Sequence, residues 1–345
     1  MRFFLRSARY LGIMIILVFS ISEVVMRLLG YLPHQPVYTD IVSSPPDAII
    51  YDSNYGLGLN PGTYDITINR GLRYHATHLP DSTRLTSHNA QNGKPEIFIL
   101  GCSFAYGMGV DDEKTFASLI QGDFPEMNVR NLAAPAYSTV HSYLQLKSQL
   151  ERGHIPAVVV LAYTSYQDAR NQLSGLQQKY WRESLIRGNH PGLEDARMPY
   201  VVKKDTGLEI RYLPLTDFSA WWKLSRYSAV VDGLEHIWSN FMYGFTDKYT
   251  LTEEVIGKIK NLCEQHQIRL VIMPLDKSQS AEKLKTFCLN QGIDFLDACI
   301  DIQDPYYNLE PYDSHPNEAA HLFYAERLKG YLEQHIDKIQ CGPVY

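Results

Sequence analysis

A surplus of positive charge is what this 345-residue sequence most plainly lacks: 32 lysines and arginines stand against 38 aspartates and glutamates, for a formal charge of −6. That balance gives no electrostatic footprint for nucleic acid, and no DNA- or RNA-binding motif offsets it, so no nucleic-acid partner is expected. Cysteine is scarce. Cys102, Cys263, Cys288, Cys299 and Cys341 are scattered without a CxxC pair or zinc spacing, which argues against a disulfide scaffold, and their odd number leaves at least one thiol unpaired. Internal repeats and low-complexity tracts are missing too. His75, His78 and His88 lack ligand spacing with acids and read as surface loop histidines, so no metal is expected. What is present, 45% hydrophobic and 20% charged residues, is the composition of a globular chain long enough for one large core and a smaller appended unit. The 24 tyrosines suit sugar or apolar ligands where they fall in loops, and packing elsewhere.

Residues 1–10 carry Arg2, Arg6 and Arg9 and no acid, and residues 11–32 are mostly apolar, interrupted by Glu23 and Arg27. No small-x-small cleavage site follows, and the basic flank favours an inside N-terminus. The expectation is a signal anchor over 11–32 rather than a cleaved signal, with Glu23 and Arg27 paired four apart near the outer interface. A proline-marked linker and a small β-rich segment, with Asn-Arg-Gly turn chemistry, then fill 33–94.

From residue 95 the pattern alternates. Apolar runs of strand length at 96–101, 128–133, 157–163, 268–275 and 293–299 are interleaved with helical periodicity at 114–122, 138–152, 251–266, 278–291 and 317–338. Continuously apolar strands separated by helices predict an α/β fold with a parallel five-stranded sheet covered on both faces, its crevice at the carboxyl ends of the strands. Residues 172–249, which hold all four tryptophans, interrupt the alternation and read as an inserted lid or partner-binding subregion within a 95–345 domain.

Two stretches carry chemistry. Ile97-Phe98-Ile99-Leu100-Gly101-Cys102-Ser103-Phe104 is an apolar strand broken at a glycine, after which a hydroxyl meets a turn whose backbone N–H groups can receive an oxyanion. The glycines that follow lack a Gly-Lys-Ser/Thr, which weakens a phosphate-cradling reading. Asp313-Ser314-His315-Pro316-Asn317 stands before the last helix, at the same sheet edge. Extended backbone there points Asp313 and His315 the same way, so the carboxylate can orient the imidazole as a base for serine. The same stretch also serves as a helix start, with Pro316 in the first turn and Asp313 or Asn317 as cap. Of the neighbours Cys102 and Ser103 only one can face His315; Cys102 reads as buried packing, with a thiol nucleophile as the alternative.

Gly101-x-Ser103-Phe104-x-x-Gly107-x-Gly109 together with Asp313-x-His315-Pro316-Asn317 resembles the SGNH (GDSL-type) hydrolase superfamily, and is similar in particular to its membrane-anchored bacterial members with a Gly-Cys-Ser-Phe first block. The resemblance covers roughly 95–171 and 250–338, and more loosely the anchor. It implies a three-layer flavodoxin-like fold and a catalytic triad of Ser103, His315 and Asp313. The oxyanion hole it implies comprises Ser103, Ala136 at the family's second-block glycine, and an amide side chain from Gln167, where the family has asparagine, or from Asn171. No cofactor is implied. The function that follows is an exported esterase, tethered to the bacterial cytoplasmic membrane by one N-terminal helix, that cleaves an acyl group such as O-acetyl from a cell-surface glycan or another ester. Transfer of the acyl group to a glycan by the same triad is the first alternative, and a non-catalytic glycan-binding or assembly protein the second.

Overall fold

The structure, a computed structural model, describes residues 2–36, 39–86, 93–187, 196–205, 207–214, 221–244 and 247–335; His88 and Cys341 lie outside them. It opens with a 27-residue helix, α1 (Arg2–Leu28), whose Ser7–Leu28 portion has a mean hydropathy of 2.1 and is long and apolar enough to cross a membrane. A small β-layer follows: β1 (Ile41–Ser44), the hairpin of β2 (Ile49–Asp52) and β3 (Gly56–Leu59), then β4 (Gly62–Ile68) and β5 (Leu72–His78). β1, β4 and β5 form an antiparallel sheet, with Asn69 and Arg70 at positive φ in the β4–β5 turn.

The main sheet is parallel throughout. Its strands are β6 (Glu96–Gly101), β7 (Asn128–Asn131), β8 (Val158–Tyr163), then, beyond an antiparallel hairpin of β9 (Arg197–Lys204) and β10 (Gly207–Pro214), β11 (Arg269–Pro274) and β12 (Asp294–Phe295). Their spatial order is β12-β11-β8-β6-β7, so that numbered within this sheet the strands run 2-1-3-4-5, the flavodoxin-like order whose switch point lies between the first and third strands, here β6 and β8. The helices are α2 (Ser103–Tyr106), α3 (Phe116–Asp123), α4 (Thr139–Glu151), α5 (Tyr166–Gln172), α6 (Gly175–Arg187), α7 (Trp221–Ser225), α8 (Ala229–Gly244), α9 (Lys248–Gln265), α10 (Gln279–Gln291) and α11 (Glu318–Glu333). A short hairpin of β13 (Asn308–Leu309) and β14 (Asp313–Pro316) precedes α11.

Strand alternation builds two cores. From β6, Ile97 and Ile99 pack with Ile120 of α3, Leu328 of α11 and residues of the small β-layer. Phe98 and Leu100 face the other way, onto Leu146 of α4, Ile259 of α9 and Leu284 of α10. The result is three layers, as the continuous apolar strands predicted. β12 is shorter than the 293–299 run that announced it, because only Asp294 and Phe295 pair with β11. The insert (β9, β10 and α6 to α8) packs on α4, α5, α9 and β3, and its α8 touches α1. There Arg27 and Glu23 form the expected i,i+4 pair at 2.7 Å.

Segment 33–94 is more than a linker. Arg84 bridges to both His78 and Asn131, joining β5 to the β7 edge of the main sheet. Its guanidinium is wholly buried and all five N–H groups are used. Nε donates to Asp112 Oδ1 (2.9 Å), Nη1 to the carbonyls of Tyr106 (2.7 Å) and Gly107 (2.6 Å), and Nη2 to those of Val110 (2.6 Å) and His75 (3.1 Å). Removing it takes the ion-pair partner from a buried carboxylate and a donor from each of four carbonyls. Arg84→Met is therefore expected to cost about 3–5 kcal/mol, read as a shifted denaturation midpoint. Arg84→Lys recovers little of that, since three donors on one nitrogen cannot span five acceptors.

Candidate active site

The serine loop begins where β6 runs out. A Cβ on Gly101 would lie 2.8 Å from the Ala162 carbonyl and from Ala105 Cβ, so only glycine lets the chain turn against β8 here. Cys102 is the extended N-cap, and Ser103 opens the single turn of α2, which Gly107 ends at φ 86°. The carbonyls of this turn are tied down from two sides: Asn131 Nδ2 donates to Ala105 O at 3.0 Å, and Arg84 holds Tyr106 and Gly107. Ser103 is thus held rigidly at the sheet's carboxyl edge, with 4% of its surface exposed.

The second loop arrives from the far end of the chain. Asn317 caps α11 by accepting from Ala320 N at 3.1 Å, while its amide donates to the carbonyls of Tyr306 and Asn308, both at 2.9 Å. So the cap and the functional stretch coexist. Extended backbone at β14 puts the Asp313 and His315 side chains on one side. His315 Nδ1 bonds to Asp313 Oδ1, which also accepts from the His315 backbone N–H at 2.7 Å, and His315 Nε2 lies 2.8 Å from Ser103 Oγ. A proton on Nδ1, donated to the carboxylate, leaves Nε2 free to accept from the serine hydroxyl. Burial on its own would raise the Asp313 carboxyl, but the hydrogen bonds from His315 outweigh it and hold the group below the usual carboxylate range. Phe104 meets the imidazole edge-on at 5.4 Å between ring centres, and Tyr166 flanks Phe104 at 6.0 Å.

Cys102 is buried and directs its sulfur to Thr164 Oγ1 at 3.4 Å, so the thiol is packing. Asn171 does not reach the site. Its Oδ1 accepts from Val140 N (3.2 Å) and its Nδ2 donates to Thr139 and to Thr252 Oγ1 (2.9 Å), tying α5 to α4 and α9, so the proposed oxyanion role for this amide falls away. Gln167 is fully buried, with Nε2 donating 3.2 Å to the carbonyl of Ala162, the residue paired with Gly101 across β8 and β6, and with no partner on Oε1. One N–H of that amide is left over.

Ala136, where the resemblance has glycine, is buried at φ 76°. An L-residue in the left-handed region costs about 1–2 kcal/mol, and glycine's added unfolded-state entropy returns about 0.5–1 of that. Ala136→Gly should consequently stabilise the fold, raising Tm by roughly 1–4 °C in a thermal melt.

His78 corrects the surface-loop reading. It is buried on β5, with Nε2 2.8 Å from Tyr106 OH and Nδ1 3.0 Å from Asn60 O; His75 is exposed, 3.1 Å from Asp65. Arg84, which holds the serine loop together with Asn131, gave no signal as a lone arginine.

No family model matches the chain, and neither does any curated protein sequence. Among solved structures it is similar to a member of the lipolytic protein G-D-S-L family from Veillonella parvula DSM 2008, at 11% identity and a TM-score of 0.39 over 69% of this chain and 98% of that one. It is likewise similar to the psychrotrophic esterase EstA from Pseudoalteromonas sp. (11% identity, TM-score 0.38, 71% and 100% of the two chains) and to the acetyl xylan esterase AlAXEase (11%, 0.38, 69% and 99%). At such TM-scores these likenesses carry no weight for function, which rests on the geometry of Ser103, His315 and Asp313.

Proposed function

We propose that this chain is a membrane-tethered serine esterase of the SGNH type. One observation carries the reading: a serine hydroxyl at a strand-to-helix turn, 2.8 Å from an imidazole nitrogen whose other nitrogen is held by a buried carboxylate. Ser103 Oγ attacks the ester carbonyl as His315 Nε2 takes its proton, and Asp313 stabilises the imidazolium. The oxyanion is received by the backbone N–H groups of Ser103 and Ala136 and by the remaining N–H of Gln167. His315 then returns the proton to the departing alkoxide, and water repeats the sequence on the acyl-enzyme.

An acyl ester, such as O-acetyl on a cell-surface glycan, is the substrate class, with α1 as the tether that keeps the domain on the exported side. A retained anchor rather than a cleaved signal is favoured because Glu23 of α1 caps α8, accepting from Ser228 Oγ (2.7 Å), Ala229 N (3.0 Å) and Val230 N (3.1 Å). Hydrolysis is favoured over transfer because, among the described residues, the main packing of the insert is on α4, α5, α9 and β3. The test is a fluorophosphonate probe together with p-nitrophenyl acetate turnover, with and without an oligosaccharide acceptor. Labelling with acceptor-independent turnover supports the esterase, acceptor-dependent turnover supports transfer, and an unlabelled protein supports a non-catalytic role.

A further inference from the structure

Helix α8 is amphipathic in the inverse sense for a protein in water. Ser228 just before it, then Asp232, Glu235 and Ser239, spaced to share one stripe, face the protein. There the buried Lys179 of α6 lies 2.9 Å from Glu235 and 3.5 Å from Asp232. The outward stripe is apolar: Leu234, Ile237, Trp238, Phe241 and Met242 are each between 51% and 66% exposed. Tyr227, at the α7–α8 corner, is 76% exposed. A helix that turns its charges inward and five large apolar side chains outward is matched to an apolar medium outside.

What that medium is follows from where α8 starts. Its first turn is capped by Glu23, Arg27 donates to Tyr227 O at 2.9 Å, and Met26 lies against Gly233, so the stripe continues directly from α1. Counted from Ser7 at 1.5 Å per residue, Glu23 lies about 24 Å along a hydrocarbon core about 30 Å thick. α8 thus begins a few ångströms inside the outer boundary, the depth at which interfacial helices lie and at which tryptophan and tyrosine gather. The capping bonds from Ser228, Ala229 and Val230, with Arg27, also give the Glu23 carboxylate partners at that depth.

We propose that α8 is an interfacial helix whose Leu234–Met242 face is embedded in the outer leaflet beside α1, holding the domain against the bilayer at a fixed orientation. The proposal rests on the reading of α1 as a membrane span, and its test separates the two. The full chain, with Cys299→Ser and Cys341→Ser, is reconstituted in phosphatidylcholine–phosphatidylglycerol vesicles with one spin label at a time: Ile16→Cys in α1, Ile237→Cys or Phe241→Cys in α8, or Leu289→Cys on the exposed face of α10. Labels at 237 and 241 should follow 16, colliding with oxygen several-fold more and with a water-soluble nickel chelate several-fold less than the label at 289. If 237 and 241 follow 289 while 16 stays in lipid, the span stands and the α8 proposal is overturned. If 16 also meets water, the span is wrong and the proposal falls with it. Dipolar broadening between labels at 241 on different molecules would mean that a second copy covers the face, which equally overturns it.

Discussion

Replacing Ser103 by alanine lowers p-nitrophenyl acetate hydrolysis by on the order of 10⁴–10⁶-fold and abolishes fluorophosphonate labelling, while the melting curve barely moves. The size follows from the site's unity. Among the described residues the hydroxyl on His315 Nε2 is that of Ser103, and Cys102 does not substitute because its sulfur is turned to Thr164. What survives is the residual catalysis of bound water near the oxyanion donors. Asp313→Asn divides the effect differently: it keeps a side chain of the same shape but presents a donor where the imidazole needs an acceptor, so a loss of about 10⁴-fold is expected with Ser103 still in place. Equal turnover by wild type and Ser103→Ala would remove the esterase reading altogether.

Stability should fall steeply with acid, beginning near neutrality rather than in the carboxylate range. His78, His141 and His321 are buried and neutral; burial pushes them down from 6.5 to about 4, about 3 and about 3. Two of them are also acceptors that a proton would destroy. His141 Nδ1 takes the Ser138 N–H at 3.0 Å in the capping box of α4, and His321 Nδ1 takes the Phe116 N–H at 3.2 Å at the start of α3. The unfolded chain binds these three protons near pH 6.5 and the folded one resists them until much lower. Their contribution is therefore complete above about 6.5 and is lost as pH falls toward 4 and 3. Between pH 7.5 and 5.5 each loses about 1.4 kcal/mol, about 4 kcal/mol together. Asp168 and Asp276 carry the opposite sign: burial raises their carboxyls, so the folded protein takes those protons more readily and softens the loss at low pH. Urea denaturation at pH 7.5, 6.5 and 5.5 checks this, and His141→Gln, which keeps a capping-box side chain, should reduce the slope by close to one proton. An unchanged free energy over that interval would mean that the three imidazoles take up protons in the fold as readily as in the unfolded chain.

Legibility in the sequence tracked how local each signal was. The central strands of the main sheet announced themselves because a strand buried on both faces is apolar along its length, as β8 is and as β6 is after Glu96. Ser103 and the Asp313–His315 pair were visible as short motifs, and the extended path of β14 was enough to align the latter two. Gln167 and Asn171 were harder to separate: both sit on α5 with the same amide chemistry, and only the positions of Thr139 and Thr252 on two other helices show that Asn171 is already engaged. Arg84 was invisible because four of its five acceptors are carbonyls, which have no sequence identity. The inverted face of α8 was out of reach for a related reason. Periodicity shows that a helix has two sides, but which of them meets the rest of the molecule depends on Lys179 and Glu23, distant in the chain.

The Asn69 turn carries a consequence for anyone trimming the gene. Its amide donates to the Tyr312 carbonyl at 2.6 Å, one residue before Asp313, while Arg84 clamps the serine turn from the same N-terminal layer. Both halves of the candidate site are thus braced by residues 40–85. An expression fragment cut at the first strand of the parallel sheet would shed that brace, so a fragment meant to keep the candidate site intact starts near residue 39, after the long apolar helix.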